Sequence, residues 1–188
     1  MNTFLLNGSI VFFIIFVALS FVDGVYLHLI KFKIQENSDS KREHLTHTIR
    51  AILFIPITFM IFYWNLSGTW LWFAIGVIII DFIIEAIDVL EEQRSREKLG
   101  GLSSGEYFLH VMLTTSRVAA ITLALSSKPL EAWSNNIYLS PYSETMKFII
   151  SQLIPGAVII AILHVVLIFK PFLISKLAMH FQKIKYCC

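Results

Sequence analysis

An all-helical, polytopic membrane bundle is the fold class this chain predicts, and three observations predict it. Its 188 residues are 56% hydrophobic and only 15% charged, whereas soluble globular chains run about 45–50% apolar and about 25% charged. Mean hydropathy is +0.72. Five segments each hold the roughly 20 mostly apolar residues that a spanning helix needs. These features exclude a disordered chain, a collagen-like chain, a disulfide-rich secreted module and an ordinary cytosolic enzyme. They point to no nucleic-acid partner.

The first span runs from about residue 9 to 34. It has no basic n-region and no small-residue cleavage site, and it is too long for a signal peptide. The second runs from about 45 to 65 and the third from about 69 to 90. Only a few residues around Ser67-Gly68 separate them, so they are antiparallel neighbours. The fourth covers about 105–126 and the fifth about 145–169. With no internal repeat, residues 1–188 read as one membrane domain. The tail 171–188 mixes Phe172, Leu173, Leu177, Phe181 and Ile184 with Lys176, His180, Lys183 and Lys185, which suits an amphipathic helix on the inner leaflet. Cys187 and Cys188 end it. They read as an incidental tail, a lipidation site or a soft-metal hook.

Basic residues set the orientation. Lys31, Lys33, Lys41 and Arg42 lie between spans one and two, and Arg94, Arg96 and Lys98 between three and four. Lys170, Lys176, Lys183 and Lys185 follow span five, and only Lys128 and Lys147 lie on the other side. The bias places the N-terminus outside and the C-terminus in the cytoplasm of a multi-pass protein of the cell (inner) membrane.

The chain nevertheless carries 15 basic and 13 acidic residues and 6 histidines, and many fall inside the spans. On the third span Asp81, Glu85, Asp88 and Glu92 are spaced 4, 3 and 4, which puts them within one arc of roughly 60°. An isolated charge near the bilayer centre costs at least about 2.5–3.5 kcal/mol, so this stripe is expected to face protein, water, protons or metal. The fourth span repeats the pattern with Glu106, His110 and Arg117. The second puts Glu43, His47 and Arg50 on one face, with His44 beside them. The first contributes Asp23 and His28, which point about 140° apart at α-helical pitch and so are not expected to serve one centre equally. The fifth contributes His164. Counted at about 1.5 Å per residue from the cytoplasmic end of each helix, His28, Glu85, His110 and His164 fall in one layer. His47, Asp88 and Glu106 lie slightly shallower; Asp23, Asp81 and Arg117 lie deeper.

Imidazole with carboxylate is the ligand set of zinc, iron and manganese. The expected metal ligands are His28, His44, His47, Glu85, Asp88, Glu106, His110 and His164, with Glu85, Asp88 and Glu106 as catalytic carboxylates. Asp23, Arg50, Asp81, Glu92 and Arg117 are expected behind them, Arg117 pairing with Asp81 or Asp23 because a buried guanidinium cannot shed its charge. Soluble two-metal carboxylate bundles give the nearest analogy, although they place Glu and His at i, i+3 and here the spacing is i, i+4. The chain lacks the HxxxH and HxxHH clusters of membrane fatty-acid hydroxylases and desaturases. A two-metal iron oxidoreductase acting on a membrane lipid or lipid-soluble small molecule is the leading expectation, with a redox partner or another membrane subunit as its associate. The alternatives are a zinc hydrolase, a proton- or cation-coupled transporter, a haem carrier using two of the histidines as axial ligands, and a structural subunit. Glu106 also reads as a cap of the fourth helix behind Ser103 or Ser104.

Overall fold

The computed structural model describes residues 2–32, 36, 40–97 and 101–185, with residues 96 and 171–185 described by their backbone alone. Cys187, Cys188 and residues 98–100 of the glycine loop lie outside it. Most of the described residues are helical, and among them there is no strand. Helix α1 (Thr3–Phe21) runs into a π-helical segment, Val22–Lys31. Helix α2 (Lys41–Thr58) runs into a second one, Phe59–Tyr63. Then follow α3 (Gly68–Arg96), α4 (Ser104–Ser126), the short α5 (Glu131–Ser134) and α6 (Glu144–Lys185). Four stretches are long and apolar enough to cross a membrane: Thr3–Lys31, Lys41–Tyr63, Ser104–Ser126 and Glu144–Lys170. The tail expected to start at residue 171 is carried on α6, whose backbone continues to Lys185.

Caps explain where the helices begin. The Asn2 side chain accepts hydrogen bonds from the backbone N–H groups of Phe4 (3.1 Å) and Leu5 (3.3 Å), so α1 starts several residues before the apolar run. Ser103 and Glu106 close a reciprocal capping box on α4. Helix α3 opens at Gly68, whose φ of 52° is a left-handed conformation. A side chain there would also collide with Asn136, whose Oδ1 accepts from the Thr69 N–H at 2.9 Å.

Helix α1 packs along α4, and α2 lies between α3 and α6. The α1–α4 contact is close: Ser9 Oγ donates to the Ala120 carbonyl at 2.8 Å, and a side chain at Gly8 would meet Leu123 at 3.4 Å. Helix α3 shows how one helix serves two environments. Leu71, Ala74, Ile78, Asp81, Glu85, Asp88, Glu92 and Ser95 are buried, spaced alternately three and four residues apart, so they form one straight seam. Trp70, Phe73, Ile79, Ile80, Ile83, Ile87 and Leu90 on its other faces are exposed.

The apolar core occupies the end of the bundle next to the 127–143 loop. It joins Leu6, Phe13, Phe16, Ile57, Ile61, Phe62, Ala74, Ile78, Ala120, Ala124 and Ile150. The Phe13 ring lies 4.2 Å from Phe62 and 5.9 Å from Phe54, centroid to centroid. The loop is tied down over this end. Tyr142 donates its hydroxyl to the Ile61 carbonyl (3.1 Å), and the Lys128 ammonium donates to Asn65 Oδ1 (2.7 Å) and the Leu66 carbonyl (2.9 Å). Burial pushes the Tyr142 phenol up and pulls the Lys128 ammonium down to about 8.

Candidate metal centre

The other end of the bundle is polar, and it is organised by the π-helical segment Val22–Lys31. Its closing bond, Phe32 N–H to the Leu27 carbonyl at 2.9 Å, spans five residues instead of four. At about 4.4 residues per turn, five residues return to within about 50° of the starting direction. Asp23 and His28 therefore share a face, and His28 Nε2 stands 3.4 Å from Asp23 Oδ1. This corrects the divergence of about 140° expected from α-helical pitch.

Three further elements bring side chains to His28, which is fully buried. Helix α2 supplies Glu43, with Oε1 3.6 Å from His28 Nδ1, and His47, whose ring centroid is 4.0 Å from that of His28. Helix α3 supplies Glu92, with Oε1 3.6 Å from His28 Nε2. Helix α4 supplies His110, which bridges the two acids: its Nε2 is 3.0 Å from Asp23 Oδ1 and its Nδ1 is 3.1 Å from Glu92 Oε2. Neither ring nitrogen of His28 makes a hydrogen bond among the described residues. Two triads of donor atoms result, Asp23–His28–His47 and His28–Glu92–His110. Within each triad the atoms all lie within 4.8 Å of one another.

The acids further along the α3 seam are held by arginines. Arg117 of α4 donates to both Asp81 and Glu85 and lies 4.4 Å from the Phe82 ring centroid. Arg50 of α2 donates to Asp88 Oδ2 at 2.9 Å and to Glu85 Oε1 at 3.1 Å. Thr114 adds a bond to Glu85 (3.0 Å), and Thr46 adds one to Asp88. The seam thus passes from arginine partners at Asp81 to histidine partners at Glu92. Asp88 stands at the boundary, with its Oδ2 also 3.2 Å from His47 Nε2.

The residues expected as ligands therefore divide. His28, His47 and His110 converge, joined by Asp23 and Glu92, which were expected behind the centre. Glu85 and Asp88 sit on Arg50 and Arg117 and belong to neither triad. Glu106 is bonded by Ser103, whose backbone N–H (3.2 Å) and hydroxyl (2.7 Å) both reach its Oε2, and it too lies outside both triads. His44 and His164 are buried beside each other, ring centroids 5.4 Å apart, and take no place in either triad. Glu43, on the same stripe as His47, is a member of the cluster beyond the expected ligands: it touches His28 and accepts from Ser95. The polar α3 seam ran on to Ser95 beyond the expected end of that helix at residue 90, and that continuation was the signal for Ser95.

No family model, no curated protein and no solved structure matches this chain.

Proposed function

We propose that this chain is a five-span integral membrane metalloprotein, a non-haem iron oxidoreductase acting on a lipid-soluble substrate. Its centre is formed by Asp23, His28, His47, Glu92 and His110. Four spans are the apolar helices already described. The fifth is α3, whose acids face inward while its exposed faces carry Trp70, Phe73, Ile79, Ile80 and Ile83, side chains suited to lipid. The positive-inside bias of the loops supports an outside N-terminus, a cytoplasmic C-terminus and a place in the cell membrane.

The observation that carries the reading is the spacing of the donor atoms. Ligands about 2.1 Å from one cation stand about 3.0–3.4 Å from each other; within the triads His28 Nε2 lies 3.4 Å from Asp23 Oδ1 and 3.6 Å from Glu92 Oε1, and His110 Nδ1 lies 3.1 Å from Glu92 Oε2. Each triad is two histidines with one carboxylate, the ligand pattern of non-haem iron with open positions. Both triads use His28, and with Glu85 and Asp88 engaged by arginine, the geometry favours one metal over two. Dioxygen is the oxidant in this reading, and a membrane redox partner supplies electrons. Manganese shares these ligand preferences.

The test is metal analysis of protein purified without chelator. About one iron per chain is expected, lost in His28→Ala and Glu92→Gln and retained in Glu85→Gln. Absence of stoichiometric metal, or its retention in His28→Ala, overturns the centre. Zinc in place of iron would turn the reaction to hydrolysis by a metal-activated water, and a Soret band would indicate haem.

A further inference from the structure

A cleft of about 370 Å³ lies between the segment Val22–Lys31 and α4. That volume falls within the range of small-molecule sites, about 300–1,000 Å³. Its walls change character along the bundle. Leu19, Val22, Leu109 and Met112 make the deeper part apolar, and Lys31 stands at the mouth, at the end of the first span. Glu106 also lines the mouth, but its carboxylate is held by Ser103. From Glu106 to Met112 the cleft follows α4 for six residues, about 9 Å of helix.

The walls and the centre alternate along the same two elements. Val22 and Leu27 of the cleft are chain neighbours of Asp23 and His28, and Leu109 is the neighbour of His110. His110 is also the most open residue of the centre, with 19% of its side chain exposed against 1–10% for Asp23, His28, His47 and Glu92. None of the five residues lines the cleft itself, so cleft and centre occupy different faces of the same two elements.

We propose that this cleft binds a single-chain anionic amphiphile, a long-chain carboxylate, with its head group at Lys31 and its chain lying past Val22 and Leu109. Lys31 supplies the complementary charge at the membrane boundary, and the apolar wall accepts methylene groups. As a statement about substrate, this rests on the proposed iron centre; as a statement about binding, it is tested apart from it.

The experiment uses the full chain in phosphatidylcholine nanodiscs with palmitate bearing a terminal diazirine. Irradiation is expected to label peptides of α1 and α4 around Leu19 and Met112. Unlabelled palmitate should compete at least tenfold better than monopalmitoylglycerol, which has the chain without the charge. Met112→Trp should cut labelling about tenfold by filling the cleft. Lys31→Glu, an exposed change that leaves the fold undisturbed, should weaken palmitate competition about tenfold, and Lys31→Arg should restore it. His28→Ala should label as the unaltered protein does, so loss of metal and loss of lipid binding are separate results. Labelling spread evenly over all lipid-facing helices would mean annular lipid only and overturn the proposal. Equal competition by the neutral lipid, or indifference to both Met112→Trp and Lys31→Glu, would overturn it as well.

Discussion

Leu71, Ala74 and Ile78 occupy the first half of the buried α3 seam, and Asp81, Glu85, Asp88 and Glu92 the second. Helix α4 is divided in the same way: Ala120 and Ala124 line the apolar end, while His110 and Arg117 line the polar one. Spacing and burial do not differ between the halves, but the forces do. At the apolar end the helices meet through ring and methyl contacts. Membrane lipid is as apolar as those side chains, so only close packing favours helix over lipid there. At the polar end each charged group loses its partner if the helices part. The comparison teaches that the centre and the arginine pairs, not the larger apolar core, lock the helix register.

Arg117 should give the largest effect. Arg117→Met leaves Asp81 and Glu85 without the guanidinium that both accept from, and breaking a buried pair on one side costs about 3–5 kcal/mol. Unfolding in mixed micelles titrated with sodium dodecyl sulfate measures it. Adding Asp81→Asn and Glu85→Gln should recover most of the loss, because the excess negative charge is then gone and Arg50 is left to Asp88. Metal content should follow the folded fraction. A triple variant as unstable as the single one would assign the cost to lost packing and erase the contrast.

Lys128 is the exception at the apolar end, a buried cation whose two bonds go to neutral oxygens. Burial lowers it from 10.5 to about 8. Below pH 8 the ammonium is charged in both states and the full burial cost is present. Between pH 8 and 10.5 the folded state releases its proton first, so stability should rise with pH, by about 3 kcal/mol in all. Lys128→Met should flatten that rise. A rise that survives the substitution would point to another group.

Phe13→Ala comes next. In a soluble core, removing a phenyl ring costs about 3–5 kcal/mol. Here the ring exchanges a buried site beside Phe62 and Phe54 for lipid, so about 1–2 kcal/mol of lost contact is expected. The contacts among Asp23, His28, His47, Glu92 and His110 at the other end should be unaffected, so any metal bound there per folded chain should not change.

Much of this contrast was legible in the sequence, because α-helical stripes need only spacing. The acid row of α3 and the row Glu106, His110, Arg117 of α4 followed from steps of three and four. The π-helical turn at Val22–Lys31 was not legible. No residue preference announces it, and without it Asp23 and His28 diverge. A pair of ligand-type side chains five residues apart was the one available hint. The division of the acids was also hidden. Asp81, Glu85, Asp88 and Glu92 share one stripe, and which of them meets arginine and which meets histidine depends on the relative height of α2 and α4. Residue counting from estimated span ends carries an error of about 5 Å, close to one helical turn. Glu85 and Glu92 stand seven residues, about 10.5 Å, apart, so exchanging them takes such an error on α3 and an opposite one on a partner helix.

The smallest effect tests the contrast from within the apolar end. Ser9 is fully buried there, and its hydroxyl donates to the Ala120 carbonyl at 2.8 Å between α1 and α4. A buried hydrogen bond between helices in lipid looks valuable. However, the separated helices also find partners, and measured values average about 0.6 kcal/mol. Ser9→Ala should therefore cost about that much in the same titration, several times less than Arg117→Met. A cost near 3 kcal/mol would show that neutral polar contacts lock α1 to α4 as firmly as the ion pairs lock α3, and the division of labour between the two ends would fail.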